Sequence, residues 1–407
     1  MPTSMVLLNV HAQRIDAEVQ IPLNELQAAF GHAVNDSSAG LVARLGPSLR
    51  AYLSQHIHSQ SPNGRPWTVT VGELAVHETQ NPINGKYGEL TAQVKFVPPT
   101  GEEVRQFVFN YDAVLHQVVT HKIMVAVRQD WARGHVADTA TAQVGVIELD
   151  IRNNQIHPLA VNLEAGSIWT GFRAMVQLGI QHIAEGTDHL LFLLVLLLPA
   201  PLLIVGGRWS KFGGVRYSLG RLMLIVTAFT LGHSLTLLLG ALGWVRLPSQ
   251  PVEVLIALSI LVSAAHAARP LFAGREAWVA AGFGLVHGLA FASTLANLHL
   301  DTGPMALSIL GFNLGIELMQ LLVIALTIPW LLLLSRTPAY RTVRLVGASW
   351  AVVAAVAWVA ERLTGQGNTL AKGVEQVAVY APYGLVVLAI LALLLTWRQH
   401  QTRQAPY

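Results

Sequence analysis

The sequence predicts an all-β extracytoplasmic sandwich domain followed by a polytopic α-helical membrane domain of about seven spans. Three observations carry this expectation. The 407 residues are 53% hydrophobic and only 12% charged, with a mean hydropathy of +0.47, whereas soluble domains carry about 25% charged residues. Polar and charged residues concentrate in the first 160 or so positions. Near Ile168 the apolar pattern changes from short alternating runs to long uninterrupted ones.

Segments Ser4–Val10, Trp67–Val71, Glu89–Val97, Arg105–Tyr111, His121–Val127 and Gln143–Ile151 alternate apolar and polar residues, as strands with one buried face do. Leu23–Ala29 and Ala39–His58 read as helix or irregular connections. The expected domains are 1–160 for the sandwich, 161–185 for a linker with an amphipathic or re-entrant segment, and 186–400 for the membrane domain. The expected spans are Leu190–Val205, Leu222–Leu242, Val252–Ala268, Trp278–Leu295, Met305–Leu334, Leu345–Ala360 and Tyr383–Trp397. A helix of about 20 residues crosses a hydrocarbon core of ~30 Å. No internal repeat is visible.

Charge and composition narrow the function. A net charge of +3 gives no case for nucleic-acid binding, and the absence of Cys excludes disulfides and thiolate metal sites. One set of alternate loops holds Arg208, Lys211, Arg216 and Arg221, then Arg269 and Arg275, then Arg336, Arg341 and Arg344. The opposite set holds only Arg246, Arg362 and Lys372. Basic loops face the cytoplasm, so the expected location is the bacterial inner membrane, with the N-terminal domain periplasmic and the C-terminus cytoplasmic. Met1–Val10 has neither a basic nor an adequate apolar signal region, so a signal peptide is expected upstream of this numbering.

The candidate site begins at His182-Ile-Ala-Glu185-Gly-Thr-Asp188-His189, directly before an apolar run. On one continuous helix, His182, Glu185 and His189 share a face with Asp188 on its flank. Imidazoles and carboxylates on one stripe suit a divalent transition metal, and ionisable groups within spans are costly unless functional. Further polar groups inside spans are His233 with Ser234, Glu253, Ser259, Ser263 and His266, His287, and Asn313 with Glu317 and Gln320. Asn313 and Glu317 share a face at i, i+4. Gly284 and Gly288, like Gly311 and Gly315, are spaced for close helix contact. The metal-ligand candidates are therefore His182, Glu185, Asp188, His189, His233, His287, Asn313 and Glu317, with Ser234 and Glu253 as secondary members. The histidines of the N-terminal domain are scattered; His56 and His58 would face the same way only if that segment is extended.

The motifs HIAEGTDHLLFLL, FTLGHSLTL, PVEVLIALSI, FGLVHGLAFA and GFNLGIELMQL together resemble the HupE/UreJ family of hydrogenase and urease accessory membrane proteins. The stretches MPTSMVLLNV and YDAVLHQVVTHKIMVAVRQDW resemble the extracytoplasmic domain of its larger members. The resemblance implies nickel uptake for metalloenzyme assembly. A more distant similarity links His182, Asp188 and His189 to the His-x4-Asp-His signature of nickel/cobalt transporters, with one extra residue after His182. Leu231-Gly232-His233-Ser234 matches their Leu-Gly-His-Ser motif.

The expected function is a permease for a divalent transition metal, nickel before cobalt or zinc, rather than an enzyme. Its expected partners are the metal ion, the lipid bilayer and a periplasmic protein docking on the β-domain, with no nucleic acid. Two alternatives stay open. One is an intramembrane zinc-dependent hydrolase built on the His/Asp/Ser set; the other is a periplasmic metal sensor or scaffold.

Overall fold

Alternation in the first 160 residues produces strands, but not an all-β sandwich. The computed structural model describes residues 3–34, 38–81, 85–136, 141–245, 247–298 and 300–404; Arg246 lies outside them. The described strands of this region begin with β1 (Ser4–Val10), β2 (Ile15–Pro22), β3 (Ile57–Gln60), β4 (Thr68–Asn81), β5 (Gly85–Val97) and β6 (Gln106–Tyr111). They continue with β7 (Ile123–Asp130), β8 (Ala142–Ile147), β9 (Leu149–Asp150), β10 (Gln155–Ile156) and β11 (Leu159–Asn162). One sheet has the order β4-β5-β2-β1-β7-β8 and a second has β11-β6-β3. The β1–β7 pairing is parallel, and the other pairings are antiparallel.

Helices α1 (Leu23–Phe30) and α2 (Ser38–His56) make this unit mixed rather than all-β. The reason is apolar spacing: Leu41, Leu49 and Leu53 fall on one face of α2 and enter the core that both sheets share. Phe96 of β5 meets Phe109 of β6 edge to face at 5.6 Å within that core.

The described chain partitions into two compact units, Met1–Ala174 with Leu300–Pro304, and Met175–His299 with Met305–Tyr407. The helical region consists of α3 (Ile168–Glu185), α4 (Thr187–Leu197), α5 (Val215–Ala241), α6 (Ser249–Ala268), α7 (Glu276–Asn297), α8 (Thr302–Leu334), α9 (Tyr340–Thr364), α10 (Thr369–Ala378) and α11 (Ala381–Gln404). Between α4 and α5 lies a hairpin of β12 (Leu202–Val205) and β13 (Arg208–Phe212).

Five of these helices are long and apolar enough to cross a membrane: α5, α6, α8, α9 and α11. The pair α3–α4, bent by 73°, makes a sixth if it counts as one span, so the described residues give five or six candidate spans and do not confirm the expected seven. Helix α7 spans Glu276–Asn297 and is apolar over Glu276–Ala292 among the described residues. The expected first span Leu190–Val205 is also redrawn. Pro199 and Pro201 stop the helix, and Gly206 and Gly207, both at positive φ (57° and 69°), turn the chain into the hairpin.

One buried polar group of the β-rich unit has a thermodynamic consequence. His121 Nε2 lies 2.8 Å from Ser4 Oγ, and its Nδ1 lies 3.7 Å from Glu25 Oε2. Burial pushes the imidazole down from its ordinary 6.5 to about 4. The unfolded chain therefore takes up a proton near pH 6.5 that the folded chain refuses until about pH 4. The stability contributed by neutral His121 is complete above pH 6.5 and is lost as pH falls toward 4, at up to about 1.4 kcal/mol per pH unit. Calorimetry of the full chain should show the transition of this unit falling across that window, and His121→Gln should flatten the slope.

Candidate metal centre

The centre is organised by a break in a helix. Gly186 caps α4 with an extended backbone (φ −75°, ψ 92°). A Cβ at this position would lie 2.7 Å from both His182 O and His189 Nδ1, so only glycine lets the two histidines approach. Their ring centroids stand 4.6 Å apart. The bend overturns the single-face geometry expected for a continuous helix: Glu185 is exposed, while His182, Asp188 and His189 remain together.

The tautomers of three imidazoles follow from their partners. Asp188 Oδ1 accepts hydrogen bonds from His189 N at 2.9 Å and His189 Nδ1 at 2.8 Å, leaving His189 Nε2 with a free lone pair. Asn313 Nδ2 donates to Ile309 O, so Asn313 Oδ1 is the acceptor for His233 Nδ1 at 3.1 Å and His233 Nε2 is left free. Ser259 gives its hydroxyl proton to Ile256 O at 2.7 Å and accepts from His287 Nε2 at 3.0 Å; His287 Nδ1 is free. His182 Nε2 is likewise buried and makes no hydrogen bond among the described residues.

Four buried nitrogens without a partner in one region are unusual, because nearly all buried polar atoms find one. Metal-ligating imidazoles are held in this manner, one nitrogen fixed by a carboxylate, amide or hydroxyl and the other presented. Phe192, Phe229, Phe291 and Phe312 pack against these rings and keep the region apolar. His189 lies 5.1 Å from His287 between ring centroids. Among the described residues no three or more His, Asp or Glu side chains converge on a single metal position. His182, His189 and His287 are successive neighbours, and His233 is tied to Asn313, without one closed shell among the described residues.

Arg362, counted from sequence only as a basic loop residue, completes the charge balance. Its Nη2 donates to Asp188 Oδ2 at 3.2 Å, its Nη1 to Glu253 O at 2.9 Å, and its Nε lies 3.6 Å from Glu253 Oε2. The guanidinium also stands over Trp358. Glu253 thereby joins Asp188 through a shared cation. Ser234 commits its proton to Thr230 O of its own helix at 2.7 Å. Glu317 is half-buried and makes no ion pair among the described residues. His266 belongs to another cluster, stacked on Phe272 at 3.8 Å with its carbonyl bonded by Trp209.

Of the glycines expected to allow close packing, Gly284, Gly288 and Gly315 do so, and the contacts expose a repeat that the sequence did not reveal. In α5 and α7, a Cβ on Gly232 would fall 2.1 Å from Ala281 O and 3.1 Å from Leu285 N; one on Gly284 would fall 2.1 Å from Phe229 O and 2.9 Å from His233 N. In α3 and α8, a Cβ on Gly179 would fall 2.1 Å from Phe312 O and 3.1 Å from Ile316 N; one on Gly315 would fall 2.1 Å from Val176 O and 3.0 Å from Ile180 N. Each glycine faces the carbonyl three residues before, and the amide one residue after, its partner glycine. The same motifs carry both contacts: Gly179-Ile-Gln-His182 matches Gly284-Leu-Val-His287, and Phe312-Asn-Leu-Gly315 matches Phe229-Thr-Leu-Gly232. His182 stands 5.4 Å from Phe312, and His287 stands 5.2 Å from Phe229. The helical region thus holds two copies of one motif pair, exchanged between its halves.

The apolar helices make this a membrane protein, and its helical region gathers four buried histidine nitrogens that have no hydrogen-bond partner among the described residues. The profile of the family described as HupE / UreJ protein matches residues 159–362, and the chain belongs to that family. The match runs from β11 to the last turn of α9, the segment holding both motif copies and Arg362. No curated protein matches the chain.

Two substitutions test this packing. Gly284→Ala and Gly315→Ala should each lower the melting temperature in detergent, equivalent to about 1–3 kcal/mol of overpacking. Gly282→Ala, whose Cβ would meet nothing within 4 Å, should leave it unchanged. Equal melting of all three variants would remove the close contact from the account.

Proposed function

We propose that this chain is a permease that carries Ni²⁺, or Co²⁺ in its place, across the bacterial cytoplasmic membrane in support of metalloenzyme assembly. The observation that carries this reading is the group of four buried imidazole nitrogens without a partner among the described residues, three of them with the lone pair fixed free, lying where two equivalent helix pairs meet. Borderline divalent metals favour imidazole nitrogen and carboxylate oxygen. Several partial sites in a row suit a passing cargo better than one closed shell, because conduction needs release as well as binding.

The motif repeat supports transport over hydrolysis. If α3–α4, α5, α6, α7, α8 and α9 are successive passes, α3 and α7 run in opposite senses, as do α5 and α8. Such an inverted repeat, with the substrate at its interface, is a recurrent transporter architecture. In this reading the basic loops face the cytoplasm, with the β-rich unit outside and the C-terminus inside. Asp188, His189 and Glu253 then receive the ion, and His287, His233 and Asn313 form the deeper steps. Arg362 pairs with Asp188 and Glu253 between arrivals and offsets part of their negative charge. The membrane potential favours inward movement by about 2.3 kcal/mol per charge per 100 mV.

The test is Ni²⁺ uptake by purified protein in sealed liposomes containing a nickel-responsive dye. Wild type should load the vesicles, and Asp188→Ala/His189→Ala should lower the rate at least tenfold. Tight stoichiometric Zn²⁺ in the purified protein with no flux would overturn the permease reading in favour of the hydrolase.

A further inference from the structure

We propose that Arg362 is a selectivity residue, whose guanidinium occupies the seat between Asp188 and Glu253 and so excludes Mg²⁺ and Ca²⁺. The proposal rests on the metal reading of that centre and adds what the same entrance rejects. Its test reads binding, so it stands or falls apart from transport.

Asp188 offers an arriving cation only one oxygen. Its Oδ1 is taken by His189 N at 2.9 Å and His189 Nδ1 at 2.8 Å. Its Oδ2 accepts from Arg362 Nη2 at 3.2 Å. The same guanidinium has its Nε 3.6 Å from Glu253 Oε2 and donates from Nη1 to Glu253 O at 2.9 Å. One oxygen of each carboxylate and one main-chain carbonyl therefore face a single cation. Gln250 Nε2 donates to Arg362 O at 2.8 Å, which pins the end of α9 against the start of α6.

Without the arginine this seat would be wholly oxygen, and Glu253, whose side chain is 46% exposed, makes it reachable. Mg²⁺ and Ca²⁺ take carboxylate and carbonyl oxygens of this kind. A guanidinium keeps its proton at any physiological pH, so the seat carries a cation of its own. A hard ion gains only those oxygens and must evict a charge to reach them. A borderline metal gains more. The Nε2 of His189 lies free on the far side of the ring that Asp188 holds, and the ring of His182 stands 4.6 Å away. Imidazole suits Ni²⁺, whereas Mg²⁺ and Ca²⁺ prefer oxygen. Nitrogen ligation thus offsets the eviction for the borderline metal alone. Trp358, with its ring centroid 5.9 Å from the guanidinium carbon, gives the displaced side chain an aromatic face to rest on. Discrimination here comes from an occupant that the wrong ion cannot remove.

The experiment uses the full chain in lipid nanodiscs at fixed Ni²⁺ and measures bound Ni²⁺ as Mg²⁺ is raised. Wild type should hold its Ni²⁺ against a large excess of Mg²⁺. Arg362→Gln should lower the Mg²⁺ concentration that halves Ni²⁺ binding by about tenfold or more. Arg362→Lys, which keeps the charge, should stay near wild type. Adding Glu253→Gln to Arg362→Gln should undo the Mg²⁺ sensitivity, because half of the oxygen seat loses its charge. An Arg362→Gln protein that melts as a folded chain and is no more sensitive to Mg²⁺ than wild type would overturn the proposal. A double variant as sensitive as the single one would do the same. Loss of Ni²⁺ from wild type at equimolar Mg²⁺ would overturn it without any variant. Wild type that resists Mg²⁺ as expected, with Arg362→Gln sensitised, yet takes no Ni²⁺ into liposomes would end the permease reading and leave the role of Arg362 standing.

Discussion

The contact on which the helical region depends is backbone against backbone. At Gly179, Gly232, Gly284 and Gly315 the space that a Cβ would need is taken by a carbonyl oxygen of the facing helix. Lipid tails are as apolar as the side chains they surround, so helix association in a membrane leans on such close van der Waals packing. The approach also sets the chemistry. His182 and His287 each lie three residues beyond one of these glycines, and His233 directly follows another. Moving the helices apart by the width of a methyl group would move three of the four imidazoles.

Burial gives those imidazoles their second property. A neutral histidine has one N–H to satisfy and one lone pair to place. Asp188, Asn313 and Ser259 each accept one N–H, and each is itself held by a main-chain group or by Arg362. The polar atoms left over are acceptors that point at no donor. Phenylalanines fill the space where water would otherwise serve them. Apolar walls of this kind strengthen any interaction with a cation and make its absence costly.

Much of this was legible in the sequence, and the failures have physical causes. The chemistry-bearing residues stood out because His, Asp and Asn inside apolar runs contradict their surroundings. The strand pattern was readable from alternation, whereas α2 was left open because its apolar positions are diluted by Arg, Ser and Gly. The first span was misplaced because hydropathy does not register Pro199 and Pro201, which stop a helix without lowering apolarity. Glu185 was assigned to the ligand face by assuming one helix through Gly186. Arg362 was overlooked because its partners are distant in sequence. The repeat escaped notice because only a few positions per copy are fixed by backbone contact, while lipid-facing positions accept any apolar residue.

The two copies of the Gly-x-x-His helix are not mechanically alike. In α7 the chain continues past His287 without interruption, and Phe291 occupies the next turn. In the other copy the corresponding next turn holds Gly186, where α3 ends and the chain bends by 73°. A continuous ladder of main-chain hydrogen bonds resists bending along its whole length, whereas a chain joined at one glycine resists it only through its neighbours. One half of the molecule therefore acts as a beam and the other as an elbow. The acidic and basic groups around Asp188 are gathered at the elbow, where a change in charge has the most leverage on shape.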